Sequence, residues 1–377
     1  MRLTGFIAAA ALVSCAAGKN RNESGSTSSG HAGSGGATTT SGAGGDAISV
    51  GVGGSTGSGE PLPYEVCDDG IALDDPDPWN AARAIELCNV STNGEPGVID
   101  AKYVRGDGSP ATAPLQYGIM SSFGPNVLPE GGARMLVLST GRARADGDPD
   151  KCGTIMCSEA GQGVPPPGYP TTKPGCESGF PPEQGNLIYD DVGLELRLRA
   201  PMDATGYQIA FKFYSFEYPE FVCSPYNDQF VTLVDPPPQG AVDGNISFDT
   251  AGNPIGVNLA LFEACDPAAS SRFALYCYNA MINMCPPVPN PYCPSGMPEL
   301  MGTGFDSTWY AAPWIGNEDG GATVWLKSTA PIVGGEEFSI RFAIWDKADA
   351  IYDATVIVDR FEWLGKGRVD VETEPIY

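Results

Sequence analysis

The segment from Tyr207 to Val234, YQIAFKFYSFEYPEFVCSPYNDQFVTLV, determines the predicted fold. Its first part alternates large apolar residues with smaller or polar ones, a pattern typical of a strand with one face in a core. The apolar positions are Tyr207, Ile209, Phe211 and Phe213. The chain then turns through EYPE, from Glu217 to Glu220, and a second strand follows Asn227 and Asp228. The segment therefore predicts two strands joined by an acidic loop.

A later segment, FAIWDKADAIYDATVIVDRFEW from Phe342 to Trp363, has the same organisation. Its first strand ends at Asp346, and Asp349 and Asp353 follow at spacings of three and four before a β-branched run. Both acidic loops lie at strand ends. We therefore expect them to share one site.

These motifs resemble the choice-of-anchor L domain, a bacterial extracellular module. The resemblance is carried by the EYPE loop, the Asn-Asp pair, the D-x-x-D-x-x-x-D segment, LSTG at 138–141 and LELRLRAP at 194–201, and it covers most of residues 75–363. That family is defined by its sequence and its varied surface anchors rather than by a reaction. The resemblance thus implies an extracellular, anchored protein and no particular chemistry.

The amino-terminal residues predict export. Residues 1–14 have a positive start and a short apolar core, and Leu-Val-Ser-Cys before and at Cys15 has the form of a bacterial lipobox. Cys15 is the predicted lipidation site, and Ala16 after it favours the outer membrane or cell surface. The alternative is an ordinary signal peptide with a chance cysteine. The apolar run is too short to span a bilayer, which needs about 20 residues.

Residues 15–60 are rich in Gly, Ser and Thr and predict a flexible tether between the lipidated cysteine and the folded domain. The folded β-sandwich domain is predicted at 61–365, and residues 366–377 form a polar tail. The net charge of -25 excludes nucleic acid as a partner, because such a domain repels phosphates. It favours cation binding, although acidity also keeps an exported protein soluble.

The chain has a single histidine, His31, which lies in the predicted tether. Mechanisms that need a histidine base, and zinc sites rich in histidine, are therefore disfavoured. An enzyme would have to use paired carboxylates, as glycosidases do, with a pair such as Glu217 and Asp346. A carboxylate-based polysaccharide hydrolase is thus the alternative function.

Ten cysteines besides Cys15 predict as many as five disulfides in an oxidising compartment. We expect the local pairs Cys67 with Cys88 and Cys285 with Cys293. The candidates are Cys67, Cys88, Cys152, Cys157, Cys176, Cys223, Cys265, Cys277, Cys285 and Cys293.

The remaining apolar segments predict an all-β, jelly-roll-like β-sandwich whose sheets have one packed and one solvent-facing side. Asp77 and Pro78 predict the start of one short helix that runs to Cys88. Two Cys- and Pro-rich insertions are expected, at Cys152 to Gln184 and Cys265 to Gly302. The acidic segment from Asp68 to Pro78 lacks the residue order of an EF-hand loop and predicts a solvated turn.

Calcium is the candidate cofactor, because it takes six to eight oxygens from carboxylates, amides, carbonyls and water. The alternative is that these acidic residues cap turns, face water or pair with Lys212, Arg341 and Lys347. The predicted ligands are Glu217, Glu220, Asn227, Asp228, Asp346, Asp349 and Asp353.

The second insertion also carries aromatic residues and methionines that either bind a surface glycan or protein ligand or form a small core beneath the loop. They are Phe273, Tyr276, Tyr278, Met281, Met284 and Tyr292. Together these features predict an envelope-anchored lipoprotein that serves adhesion or surface recognition. A structural envelope protein with no small ligand is the further alternative.

Overall fold

A computed structural model describes residues 59–172, 186–219, 221–222, 224–259, 261–266, 293–306, 309–312, 316–318 and 320–377. The predicted signal segment, Cys15 and most of the tether lie outside these residues. Also outside them are the aromatic residues and methionines named above for the second insertion, together with Glu220, Cys176, Cys223, Cys277 and Cys285.

The described residues form strands, one α-helix and one short 3₁₀ helix at Pro114–Gln116. The helix is α1 (Pro78–Arg83). The strands are β1 (Glu60–Pro61), β2 (Gly97–Val104), β3 (Tyr117–Met120), β4 (Met135–Ser139), β5 (Ile188–Arg199), β6 (Ala204–Ser215), β7 (Gln229–Asp235), β8 (Ile255–Gly256), β9 (Phe262–Ala264), β10 (Trp309–Ala312), β11 (Gly316–Glu318), β12 (Gly321–Thr323), β13 (Leu326–Pro331), β14 (Glu337–Lys347), β15 (Ala354–Gly365) and β16 (Glu372–Pro375).

Two antiparallel sheets form a sandwich-like arrangement. One sheet has the order β16-β13-β6-β15-β4-β3, with β1, β12 and β9 attached, and the other has the order β2-β5-β14-β7-β8. The long strands alternate between the two sheets along the chain, as in a jelly roll. The predicted all-β sandwich is thus confirmed.

The main core lies between the two sheets and is built by the alternating apolar positions of β5, β6, β14 and β15. Phe211 of β6 contacts Phe230 of β7 at a ring separation of 5.1 Å, and Tyr207 stacks on Phe338 at 5.2 Å. Each large apolar side chain buried in this way contributes about 1.5–3 kcal/mol to folding. The alternation therefore identifies the inward faces of both sheets.

The outer faces are less exposed than predicted, which corrects the expectation of one solvent-facing side. Tyr214 on the outer face of β6 packs against Phe123 and Phe305 of neighbouring loops. On the other sheet, Trp345 packs against Tyr169 of the first insertion. The insertions thus cover part of each sheet, because the outward positions of these strands carry large apolar residues.

The predicted helix is present but ends early. Asp77 caps it by accepting a hydrogen bond from the Trp79 amide, as expected, but the helix ends at Arg83 rather than Cys88. Glu86 has a left-handed backbone, with φ of 65°, so the helix cannot continue through it. No helix among the described residues has the length and apolar character that crossing a membrane requires.

Two apolar segments whose composition predicts strands are largely irregular in the structure. In Ile246 to Phe248 only Phe248 makes an isolated bridge, and among the described residues of Val257 to Phe262 only Phe262 lies in a strand, because β8 ends at Gly256 and β9 begins at Phe262. The polar tail contains β16, which pairs with β13 through residues such as Thr373.

Three disulfides join described cysteines: Cys67 to Cys88, Cys152 to Cys157, and Cys265 to Cys293. The first pair confirms the prediction. The pairing of Cys285 with Cys293 is wrong, because Cys293 is bonded to Cys265. Each described insertion segment therefore contains a disulfide of its own.

Candidate functional site

Strand pairing brings the two acidic loops to one end of the sandwich. The end of β6 pairs with the start of β15, at Ser215 and Ala354, and the end of β14 pairs with the start of β7, at Trp345 and Gln229. Residues just outside these pairs must lie close together. We call the end of the sandwich that holds them the acidic edge; its members are Glu217, Asn227, Asp228, Asp346, Asp349 and Asp353.

Glu217 and Asp228 link the two sheets at the acidic edge. The Asp228 amide donates to Glu217 Oε2 at 3.1 Å, and the Lys347 amide donates to Asp228 Oδ1 at 3.2 Å. Their other oxygens, Glu217 Oε1 and Asp228 Oδ2, are buried without a hydrogen-bond partner. Each carboxylate is therefore only half satisfied by donors.

Asp346 is the least satisfied carboxylate of the acidic edge. It is 1% exposed, and neither carboxylate oxygen has a hydrogen-bond partner. The Thr140 hydroxyl lies nearby, but it accepts from the Ala354 amide at 2.9 Å and is oriented toward the Ala354 carbonyl at 3.4 Å. A buried carboxylate with no donor is costly to ionise.

The electrostatics follow from this burial. Burial raises the pKa of Glu217, Asp228 and Asp346 well above the ordinary carboxyl range, and the charges of neighbouring carboxylates raise each pKa further. At neutral pH these groups must either hold protons or face a cation. The acidic edge therefore has the charge and the free oxygens that a hard cation prefers.

Asp353 is held by a different set of contacts. Both of its oxygens accept from the Cys157 amide at 3.0 Å, and burial still raises its pKa to about 7. A side chain at Gly141 would lie 1.9 Å from Asp353 Oδ2, so only glycine fits there. Gly141 ends the LSTG motif, which thus leaves space for this carboxylate.

The remaining predicted residues contribute less. Asp349 is partly exposed and accepts from the Ile351 amide at 3.1 Å, which is a local turn contact. Two expected cationic partners bind elsewhere: Lys212 pairs with Glu299, and Arg341 pairs with Glu195.

The carboxylates of the acidic edge do not form a closed cage. Within the described ranges, one set of three metal-ligand side chains has all its ligand atoms within 4.8 Å of one another: Cys152, Cys157 and Asp353. Its two sulfurs are joined in a disulfide, so they are not thiolate ligands. A cation at the acidic edge would have to draw the carboxylates together or bind partly through water.

Sequence reasoning missed two further buried carboxylates near this end, Asp190 and Asp191 of β5. Asp190 accepts from the Ser158 hydroxyl and three amides, and Asp191 pairs with Arg105 and accepts from the Gly106 amide at 2.6 Å. Two adjacent aspartates in the otherwise apolar first half of β5 were the signal that could have identified them.

A pocket of about 230 Å³ lies beside Asp353. Arg142, Arg144 and Lys151 line it together with the rings of Phe216 and Phe305. Each cation has a carboxylate partner, but Arg144 Nε is buried with no hydrogen-bond partner. The pocket thus combines ion-paired cationic groups with aromatic rings.

Comparisons with protein-family models, curated proteins and solved structures gave no match. The resemblance to the choice-of-anchor L domain therefore stays a prediction.

Proposed function

We propose that this protein is an exported, envelope-anchored module for adhesion or surface recognition, and that calcium binds at its acidic edge. The observation that carries the calcium proposal is the set of four buried carboxylate oxygens without donors, on Glu217, Asp228 and Asp346. Asn227 is adjacent and 5% exposed, and it brings a fourth oxygen-bearing side chain to the same strand ends, where its Oδ1 accepts from the Asn258 amide at 3.0 Å.

Calcium suits these residues for chemical reasons. It accepts irregular sets of oxygen ligands and tolerates water in the remaining positions, whereas magnesium demands near-octahedral geometry. Bound calcium would replace the protons that burial otherwise imposes on the three carboxylates. It would also fasten the end of β6 to the start of β7 and the end of β14, because the carboxylates belong to both sheets.

The position of the acidic edge supports a role in recognition. β15 runs from Ala354, beside the acidic edge, to Gly365, which pairs with Glu60 of β1. Twelve residues in a strand span about 35 Å. The chain therefore enters the sandwich at Glu60, at the end opposite the acidic edge and the pocket beside Asp353. The aromatic rings and ion-paired cations of that pocket would suit a surface glycan or protein ligand.

The three disulfides support export, because such bonds persist in oxidising compartments. Lipidation at Cys15 is part of the proposal. Metabolic labelling with palmitate should mark the parent chain and not Cys15→Ser, and unlabelled parent chain would contradict a lipid anchor.

The hydrolase alternative gains no support from the geometry. Glu217 and Asp346 are each 1% exposed, whereas a glycosidase pair must reach substrate in an open cleft. The remaining alternative, a structural envelope protein with no small ligand, is tested by the calcium experiment that follows.

The calcium proposal is tested by thermal unfolding of the oxidised full chain, with calcium and with chelator. At a hundredfold excess over Kd, calcium would stabilise the native chain by about 2.7 kcal/mol. Asp346→Asn should remove the part of that stabilisation that arises at the acidic edge, and the exposed strand residue Asp100 provides a matched control, Asp100→Asn, that should keep all of it. An unchanged midpoint in the parent would contradict calcium binding and favour the purely structural alternative.

A further inference from the structure

A second group of buried carboxylates lies away from the acidic edge, where the amino-terminal segment packs on β15. It comprises Asp68, Glu86 and Asp359, which are 0%, 6% and 0% exposed. The Cys67–Cys88 disulfide joins the two segments that carry Asp68 and Glu86. The prediction of a solvated turn is therefore wrong at Asp68. This residue is buried because its carboxylate accepts hydrogen bonds from amides of another loop.

The main-chain donors in this group are unevenly shared. Asp68 Oδ2 accepts from the amides of Ala133 and Arg134 at 2.6 and 2.5 Å, but Asp68 Oδ1 has no partner. Both oxygens of Glu86 are buried without a partner. Three carboxylate oxygens are therefore free of donors.

Asp359 lies near Glu86, and both of its carboxylate oxygens already accept hydrogen bonds from amides. Its Oδ1 accepts from Arg360 at 2.8 Å, and its Oδ2 accepts from Glu130 and from Gly131, the latter at 3.1 Å. It thus brings negative charge to Glu86 without offering it a hydrogen-bond donor.

The neighbouring guanidinium groups are engaged elsewhere. Arg134 donates to the carbonyls of Ile71 and Ala133 at 2.9 and 2.8 Å, and Arg360 Nε donates to Glu362 at 3.1 Å. Neither donates to Glu86. The group therefore lacks the direct ion pair that usually accompanies a buried carboxylate.

Two glycines of the loop before β4 allow the carboxylates to converge. A Cβ at Gly132 would lie 2.5 Å from Asp68 Oδ2 and 2.6 Å from Glu86 Oε1, and one at Gly131 would lie 2.8 Å from Glu86 Oε2. Gly132 also has a φ of +54°, which disfavours other residues. The backbone thus borders a small space that oxygens of two carboxylates share.

We propose that Asp68, Glu86 and Asp359 form a second calcium site, independent of the acidic edge. Asp68 and Glu86 would bind the ion directly through their free oxygens. Asp359, whose oxygens accept from amides, would attract the ion by its negative charge without binding it directly. Water and main-chain carbonyls would complete the six to eight oxygens that calcium takes. The bound ion would fasten Asp68 to Glu86 within the amino-terminal segment, next to the point where the Ile85 carbonyl accepts from the Phe361 amide of β15.

The electrostatics agree with this geometry. Burial, followed by the charges of Asp359 and Asp68, raises the pKa of Glu86 to about 9. The competing explanation is that Glu86 is a neutral buried acid with no ion. That explanation and the proposal differ in the number of calcium ions that the chain binds.

Equilibrium dialysis of the oxidised full chain against calcium distinguishes them. The parent should bind two ions, and Glu86→Gln and Asp346→Asn should each bind one, while Asp100→Asn should bind as many as the parent. If Glu86→Gln binds as many ions as the parent, the second site does not exist. If Asp346→Asn binds as many ions as the parent, the acidic edge does not bind calcium. The second site is then supported only if Glu86→Gln binds one ion fewer than the parent.

A variant that keeps every carboxylate makes the test independent of how Glu86→Gln folds. Gly132→Ala places a methyl group against Asp68 and Glu86, so it should reduce the stoichiometry to one while the acidic edge still binds. Two ions bound to Gly132→Ala with parental affinity would overturn the proposed position of the site.

Discussion

Asp191 and Asp228 are both fully buried aspartates near the same end of the sandwich, but their surroundings are opposite. Asp191 meets the Arg105 guanidinium and the Gly106 amide, so both of its oxygens have donors. Asp228 accepts one amide and leaves Oδ2 without a partner, beside the equally buried Glu217. Burial alone thus does not mark a binding site.

The difference teaches which carboxylates stabilise the fold and which await a ligand. A carboxylate with a complete set of donors is part of the structure, and its removal leaves those donors unsatisfied. A carboxylate without donors costs free energy as an anion, and its removal relieves that cost. The two kinds should therefore respond to substitution with opposite signs.

The largest expected effect is that of Asp191→Ala. It leaves the Arg105 guanidinium without its partner, and loss of one member of a buried pair costs about 3–5 kcal/mol. Urea unfolding of the oxidised chain measures this, with Asp100→Asn as the exposed control. A cost as small as that of the control would mean that Asp191 is not structural.

The next effect is a dependence of stability on pH in chelator. The folded chain keeps the Asp353 proton up to a pKa of about 7, whereas an unfolded aspartate releases it near 3.8. The folded state therefore binds more protons in this window, and stability falls as pH rises. Between pH 5 and 7 Asp353 alone should account for a loss of about 2–3 kcal/mol, and other buried carboxylates with a raised pKa, such as Glu86, add to it. Asp353→Asn should reduce this slope, and an unchanged slope would exclude Asp353 as its source.

A smaller effect with the opposite sign is expected for Asp228→Asn. In chelator at pH 8 it removes a buried carboxylate whose Oδ2 lacks a donor, so the free energy of unfolding should rise by about 1 kcal/mol. Calcium should stabilise this variant less than the parent. Chemical denaturation with chelator and with calcium measures the free energy of unfolding in each condition. If the variant is less stable than the parent in chelator, Asp228 stabilises the fold as Asp191 does.

The smallest effect should come from Asp349→Asn. Asp349 is partly exposed and makes a local turn contact, so its substitution should change stability by less than about 0.5 kcal/mol. Calcium should still raise the unfolding midpoint of this variant. Loss of the calcium effect would instead move Asp349 into the set of ligands.

Much of the fold was predictable from the sequence, because alternation in β6 and β14 is strong. β2 was missed because its register shifts between Val98 and Asp100, which interrupts the alternation. β16 was missed because it is an edge strand of polar residues, held to β13 mainly by main-chain pairing. Apolar periodicity reports buried faces and not hydrogen-bonded edges.

The location of the acidic edge was also predictable, since its residues follow strand ends. The sequence could not predict which carboxylates have hydrogen-bond donors, because the donors are remote in sequence. The amide that satisfies Asp353 belongs to Cys157, and the charge that faces Glu86 belongs to Asp359. Local patterns carry no information about such contacts.

The pairing of β1 with β15 has a mechanical consequence. A pull on the chain at Glu60 is directed along β15 and shears the two residue pairs that join the strands. If those pairs yield, the residues before Cys67 straighten, and the disulfide to Cys88 shields residues 68–87 from the load. The load passes through Cys88 to β2, which pairs with β5, while the hydrogen bond from the Phe361 amide to the Ile85 carbonyl, at 3.0 Å, lies inside the shielded segment. Under flow, the proposed anchor would thus lengthen the chain slightly without unravelling that segment.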